Sequence, residues 1–143
     1  MAAHGATAVA PKQFLEIGGV PVLVRSVQAF LAVPRIDAVC VAVRPQEKDR
    51  LDAQMKEYKL GDRVKMVAGG DNRQESVGNA LAALEGADDD VVLVHDAVGP
   101  LIDPETIERT IEAGVKHGAA IVGLPAGDTI RQVDRTADGA IIT

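Results

Sequence analysis

The chain has 143 residues, within the roughly 100–200 expected of one domain, and its apolar set is dominated by Ala, Val, Leu and Ile, which suits a buried sheet covered by helices. A formal charge of −6 argues against a broad basic footprint for nucleic acid or anionic membrane. One cysteine excludes an internal disulfide framework and fits a reducing cytoplasm, and neither a membrane-length apolar run nor a signal-peptide pattern in residues 1–10 is present.

In chain order, Pro11-Lys12-Gln13-Phe14 comes first, in a Gly- and Ala-rich approach. Lys12 there either points a compact charge at a phosphate or is simply solvated. A first helix starts near Pro21, carries Leu23, Val27, Phe30 and Leu31 on one face, and stops at Pro34. Residues 38–44 read as a strand in which Cys40 is a small buried hydrophobe. A charged second helix over 46–58 packs along a narrow stripe, Leu51 and Met55, and Gly61-Asp62 closes it. Residues 64–68 form the next strand. The Gly69-Gly70-Asp71 turn then opens a third helix over 73–84, with Val77, Ala80, Leu81 and Leu84 on one side and Gly86 at its end. Residues 91–95 are the most hydrophobic predicted strand. A fourth helix starts with Asp103 as N-cap and Pro104 at its first position, shows Ile107 and Ile111 four apart, and stops at Gly118. Strands are predicted over 119–124 and 129–134, and residues 140–143 read as a further strand cut short.

Strands alternating with helices imply right-handed βαβ crossovers and an open parallel sheet, whose ligands bind beyond the carboxyl ends of the strands. Three loops qualify: 69–76, 95–100 and 125–129. The first, Gly69-Gly70-Asp71-Asn72-Arg73-Gln74-Glu75-Ser76, aims backbone N–H groups and a helix N-terminus at an anion or a base edge, or is an ordinary turn capped by Asp71. In the second, Asp96 either takes a Mg²⁺ held with nucleotide phosphates or caps a local turn, and His95 is structural. His4 and His117 form no metal-ligand pattern with it. In the third, Asp128 and Thr129 either contact a polyol or satisfy their own turn.

In order and spacing, these segments resemble the 2-C-methyl-D-erythritol 4-phosphate cytidylyltransferase family of non-mevalonate isoprenoid synthesis. The landmarks are Pro11-Lys12-Gln13-Phe14-Leu15, Gly19-Val20-Pro21-Val22-Leu23, Ala68-Gly69-Gly70 with Arg73 and Ser76-Val77, Val94-His95-Asp96-Ala97, and Asp128-Thr129-Ile130. The resemblance implies a three-layer, open, mostly parallel α/β sheet of the Rossmann-like, glycosyltransferase-A-like nucleotidyltransferase kind, with residues 1–143 as a single domain. It implies attack of a polyol phosphate oxygen on the α-phosphorus of CTP, with Mg²⁺ bridging the triphosphate. Lys12 then stabilises charge in the transition state. Gly69, Gly70, Asp71, Ser76 and Ala97 meet the nucleotide, Asp96 and Thr129 approach the metal or polyol, and Arg73 braces the turn. The family's opening strand and Gly-rich loop ending in an arginine are not matched: Met1 or Ala2-Ala3-His4-Gly5 is all that aligns, and Ala8 then replaces the arginine. Gly99 stands where the family has an arginine before Pro100. The family's later phosphate-binding residues and homodimerisation arm are also unmatched. The expectation is therefore an incomplete sheet with an unfilled central slot. Ribitol 5-phosphate cytidylyl transfer and a non-catalytic nucleotide-binding or interaction module are the rival readings.

Overall fold

The computed structural model describes residues 11–137 and 139–142. The segment read against the Gly-rich loop, residues 1–10, and Thr143 lie outside them. A short 3₁₀ turn, Lys12–Phe14, leads into a hairpin of β1 (Glu16–Ile17) and β2 (Val20–Pro21). The two residues between these strands, Gly18 and Gly19, have φ of 58° and 74°. Such a two-residue turn requires positive φ at both positions, a conformation that glycine adopts without a Cβ penalty. Pro21 then serves as N-cap of α1 (Val22–Leu31), one residue outside the helix.

The centre of the chain follows the predicted alternation: β3 (Val39–Val43), α2 (Lys48–Glu57), β4 (Val64–Ala68) and α3 (Arg73–Ala83). β3 and β4 pair in parallel, with Val39 opposite Val64 and Val43 opposite Ala68. Side chains alternate along a strand, so Val39, Val41, Val43, Val64 and Met66 share one face. That face packs against Phe14, Leu23, Val24, Val27, Leu51 and Leu60, the larger of two apolar cores. The opposite face carries Lys65, whose ammonium meets the Glu85 carboxylate just beyond α3 at 3.0 Å. α3 lies along this side and contributes no buried residue; Leu81, expected on its inner face, is exposed. Cys40 is half-buried, and burial pushes its thiol pKa up while Lys65 opposes the shift.

The second core joins α4 (Pro104–His117) to the end of α1: Ile107, Ile111 and Val33 are buried together, flanked by Phe30, Ile36, Leu93 and Ile102. The i, i+4 isoleucines thus do what their spacing predicts. Gly118 ends α4 in the left-handed region at φ 80°, where its N–H bonds the Gly114 carbonyl.

Three strand expectations are corrected. Residues 91–95 and 119–124 join no ladder among the described residues, and Val94, Ile121 and Leu124 are exposed. A strand exists only where a neighbour takes up its N–H and C=O groups, and no described segment pairs its backbone with either run. The strand expected over 129–134 begins later, as β5 (Val133–Thr136), and pairs antiparallel with β6 (Gly139–Ile142) in a hairpin of their own. The N-cap of α3 is likewise Asn72, not Asp71: its side chain accepts from the Glu75 N–H at 2.9 Å.

Asp103 caps α4 by accepting from the Thr106 N–H and from its hydroxyl, each at 2.8 Å. The bond from the Thr106 N–H, reinforced by the hydroxyl, holds the Asp103 pKa below the ordinary carboxylate value. A depressed folded-state pKa gives stabilisation that is present above the unfolded value and lost as pH falls through the folded one. Asp103→Ala is therefore expected to lower the melting temperature at neutral pH. Melts over an acid series should show the difference from wild type closing below the ordinary carboxylate range.

Candidate functional site

A cleft of about 420 Å³ opens at the carboxyl ends of β3 and β4. Pro11 and Gln13 line it on one side, Ala42, Arg44 and Glu47 along β3 and the turn that follows, and Gly69 to Arg73 with Ser76 on the other. Its position follows from the ladder: the Gly69 N–H donates to the Val43 carbonyl at 2.8 Å, one step past the last strand pair, so the chain leaves the sheet at Gly69. Four expected nucleotide residues, Gly69, Gly70, Asp71 and Ser76, line this cleft together with Arg73.

Within the 69–76 loop several polar groups are already engaged. The Gly70 N–H donates to Ser76 Oγ at 3.0 Å, and that hydroxyl donates to the Asn72 carbonyl at 2.9 Å. The Asp71 N–H donates to Glu75 Oε2 at 2.9 Å. A Cβ at Gly70 would run into the Glu75 side chain, which explains why the position takes glycine. The expectation that these N–H groups stand open to an anion is thus corrected: Gly70 and Asp71 donate inside the loop.

Asp96 and Ala97 sit in a second turn. The Gly99 N–H donates to the Asp96 carbonyl at 3.0 Å, closing it, and the His95 Nε2–H meets the Gly99 carbonyl at 2.9 Å. His95 also packs its ring on Phe30, with centroids 5.0 Å apart. A Cβ at Gly99 would come within 2.5 Å of His95 Nε2, so a side chain at this position would require the His95 ring to shift. Ser26, buried on α1, reaches the turn from below: Oγ lies 3.0 Å from the Ala97 carbonyl and 3.1 Å from the Val22 carbonyl, two acceptors for one hydroxyl proton. Arg73 Nη1 meets Asp96 Oδ1 at 2.7 Å and links the two turns.

Other expected residues do not join the cleft. Lys12 is exposed in its 3₁₀ turn and does not line it, although both neighbours do. That turn is anchored by buried Phe14, under the Arg50 guanidinium at 4.3 Å, and by the Gln13 amide donating to Glu47 at 3.0 Å. Thr129 is exposed in an irregular segment outside the cleft lining. Ser26, Arg44 and Glu47 were not singled out from sequence. The only signal for Ser26 was a hydroxyl among the apolar residues of the first helix, and Arg44 and Glu47 read as ordinary surface charges.

A protein-held magnesium does not fit these side chains. Asp96 offers one carboxylate, which the Arg73 guanidinium occupies, and no group of three His, Cys, Asp or Glu residues gathers among the described residues.

Comparison with known proteins decides the lineage. The family model described as IspD: 2-C-methyl-D-erythritol 4-phosphate cytidylyltransferase matches residues 3–143. The chain belongs to this family. It is 62% identical over its full length to a cytidylyltransferase of that name from Acidobacterium capsulatum, of which it spans 60%, and 43% identical over 124 residues to one from Solibacter usitatus, of which it spans 50%. Among solved structures it is similar to 4-diphosphocytidyl-2C-methyl-D-erythritol synthase from Anaerococcus prevotii, with a TM-score of 0.77 and 28% identity over 90% of this chain and 55% of that one. The Thermus thermophilus cytidylyltransferase gives a TM-score of 0.68 at 28% identity, over 95% of this chain and 59% of that one. The chain thus spans about 60% or less of these cytidylyltransferase relatives. Its fold is α/β and Rossmann-like in part, centred on the β3–β4 parallel pair.

Removing the Ser26 hydroxyl leaves the Ala97 carbonyl without its donor from α1. Ser26→Ala is expected to cost about 1 kcal/mol, the usual net worth of one such hydrogen bond. Denaturant melts measure the loss, and amide chemical-shift changes should centre on residues 96–99.

Proposed function

We propose that the chain carries the nucleotide-recognition part of a CTP-dependent cytidylyltransferase acting on 2-C-methyl-D-erythritol 4-phosphate. A phosphate oxygen of the polyol attacks the α-phosphorus of CTP, the bond from that phosphorus to the bridging oxygen of the β-phosphate breaks, and pyrophosphate leaves. The observation that carries this reading is the cleft at the strand tips, where Gly69, Gly70, Asp71 and Ser76 of a member of this family converge.

In this proposal residues 1–143 act as one nucleotidyltransferase domain. The cytosine and ribose lie against the 69–76 loop, Ala97 borders the nucleotide, and Asp96 and Thr129 face the polyol. Magnesium arrives with the triphosphate, which supplies most of its oxygen ligands. Lys12 stabilises charge on the phosphates, which requires its exposed side chain to swing over a bound nucleotide from the rim that Pro11 and Gln13 already form. The proposed site of action is the cytoplasm; no helix among the described residues is long and apolar enough to cross a membrane. Ribitol 5-phosphate as acceptor is not favoured, because the family and the relatives bear the methylerythritol phosphate name. A purely interacting module is the other rival, and Gly99 in place of the family's arginine speaks for it.

Titration calorimetry of the chain with CTP and Mg²⁺ separates these readings. Saturable heat for CTP, with ribitol 5-phosphate failing to compete against the methylerythritol phosphate in a transfer assay, is expected. An absence of CTP-dependent heat would leave only the interacting module. For Lys12, the expected signature depends on the phosphates: Lys12→Ala weakens CTP by about tenfold, the scale of one charge-assisted contact, and leaves cytidine unchanged. Equal losses for both ligands would remove Lys12 from the phosphate site.

A further inference from the structure

The N-terminus of a helix attracts anions through its unpaired N–H groups and the positive end of its dipole. α3 begins at the cleft, so by position alone it should draw the phosphates of a nucleotide onto the 69–72 loop. The structure shows the loop ahead of α3 and one N–H of its first turn already met from within. Glu75 Oε2 takes the Asp71 N–H at 2.9 Å, the Asn72 side chain takes the Glu75 N–H at 2.9 Å, and Ser76 Oγ takes the Gly70 N–H at 3.0 Å. The Glu75 side chain lies against Gly70 so closely that no Cβ fits there. It does not itself line the cleft, so its negative charge backs the loop while leaving the ligand space open.

We infer that Glu75 is a specificity-determining residue: its carboxylate occupies the anion-attracting end of α3, keeps phosphates off the 69–72 loop, and reserves that end of the cleft for the uncharged end of the nucleotide. The inference rests on the nucleotide reading above and adds a cause for the orientation of the ligand. A phosphate at the loop would face a fixed carboxylate and find the Gly70 and Asp71 N–H groups engaged. A base or ribose meets neither penalty. The triphosphate is thereby directed toward the rest of the cleft, where Arg44 stands at the tip of β3.

The test compares inorganic tripolyphosphate with cytidine on the 143-residue chain and on Glu75→Gln and Glu75→Ala, with melting curves to check that each variant folds. The glutamine keeps an acceptor for the Asp71 N–H and removes the charge; alanine removes both. Tripolyphosphate is expected to bind about fivefold more tightly to Glu75→Gln, the scale of one charge at a helix end, and more tightly again to Glu75→Ala. Cytidine should change less than twofold in the glutamine variant and weaken in the alanine variant as the loop loosens. The Asp71 amide resonance should shift with tripolyphosphate in Glu75→Ala. Glu57→Gln, the loss of a carboxylate at the end of α2, should produce no such gain. Unchanged tripolyphosphate affinity in both Glu75 variants, an equal gain in Glu57→Gln, or a gain without the Asp71 shift would overturn the inference. If cytidine binds to no variant, the nucleotide reading fails, and the tripolyphosphate comparison still decides whether Glu75 bars anions from this loop.

Discussion

The parallel ladder between β3 and β4 positions the rest. Its register sets Val39, Val41 and Val43 in line with Val64 and Met66 over one apolar core, and slipping by a single residue would turn each of these side chains to the opposite face. The same register brings both strands to their carboxyl ends together, and the bond from the Gly69 N–H to the Val43 carbonyl carries the pairing one step further. The chain then turns into α3 at the lip of the cleft. Asn79 steadies this exit by donating from its side-chain amide to the Ala68 carbonyl at 3.1 Å. Burial of apolar surface beneath the sheet thus fixes where a polar loop above it must lie.

The second half of the site hangs on different forces. Arg73 and Asp96 are 68% and 66% exposed, and an ion pair so solvated is worth at most about 1 kcal/mol and weakens with salt. The hydrogen bond from buried Ser26 to the Ala97 carbonyl is less screened, and His95 adds a contact with Gly99 from within the turn. The 95–99 turn is therefore held mainly from α1 and from within, and Arg73 orients the Asp96 carboxylate more than it anchors the backbone. Gly99 belongs to the same arrangement, since a side chain there would displace the His95 ring from its present position.

The cleft and its charge distribution underlie the nucleotide site proposed for this member of the methylerythritol phosphate cytidylyltransferase family. The glycine loop contributes shape and internal order, with Glu75 accepting from the Asp71 N–H just ahead of α3. The one cation of the loop, Arg73, lines the cleft but is paired with Asp96; Arg44 stands on the β3 tip, and Lys12 outside the lining between two residues that belong to it. In the proposed reading, a site built this way separates the neutral part of a nucleotide from its charged part.

Much of this was legible in the sequence because it is local. Spacing of apolar residues located α1, α2 and α4, the Asp103-Pro104 start and Gly118 stop bounded α4, and two valine-rich runs became the paired strands β3 and β4. The order of short motifs was enough to point to the family. What the sequence could not decide was which groups find partners. Residues 91–95 and 119–124 have the composition of strands, yet a strand requires a neighbour, and neighbours are set by the assembly of the whole sheet. The open N–H groups expected at Gly70 and Asp71 are taken by Ser76 and Glu75, and the Asp96 carboxylate by Arg73, because hydrogen bonds and ion pairs depend on distances that folding alone establishes. Ser26 illustrates the same limit: the sequence places it on an apolar helix face, and only tertiary packing brings the Ala97 carbonyl, 71 positions away, within 3.0 Å of it.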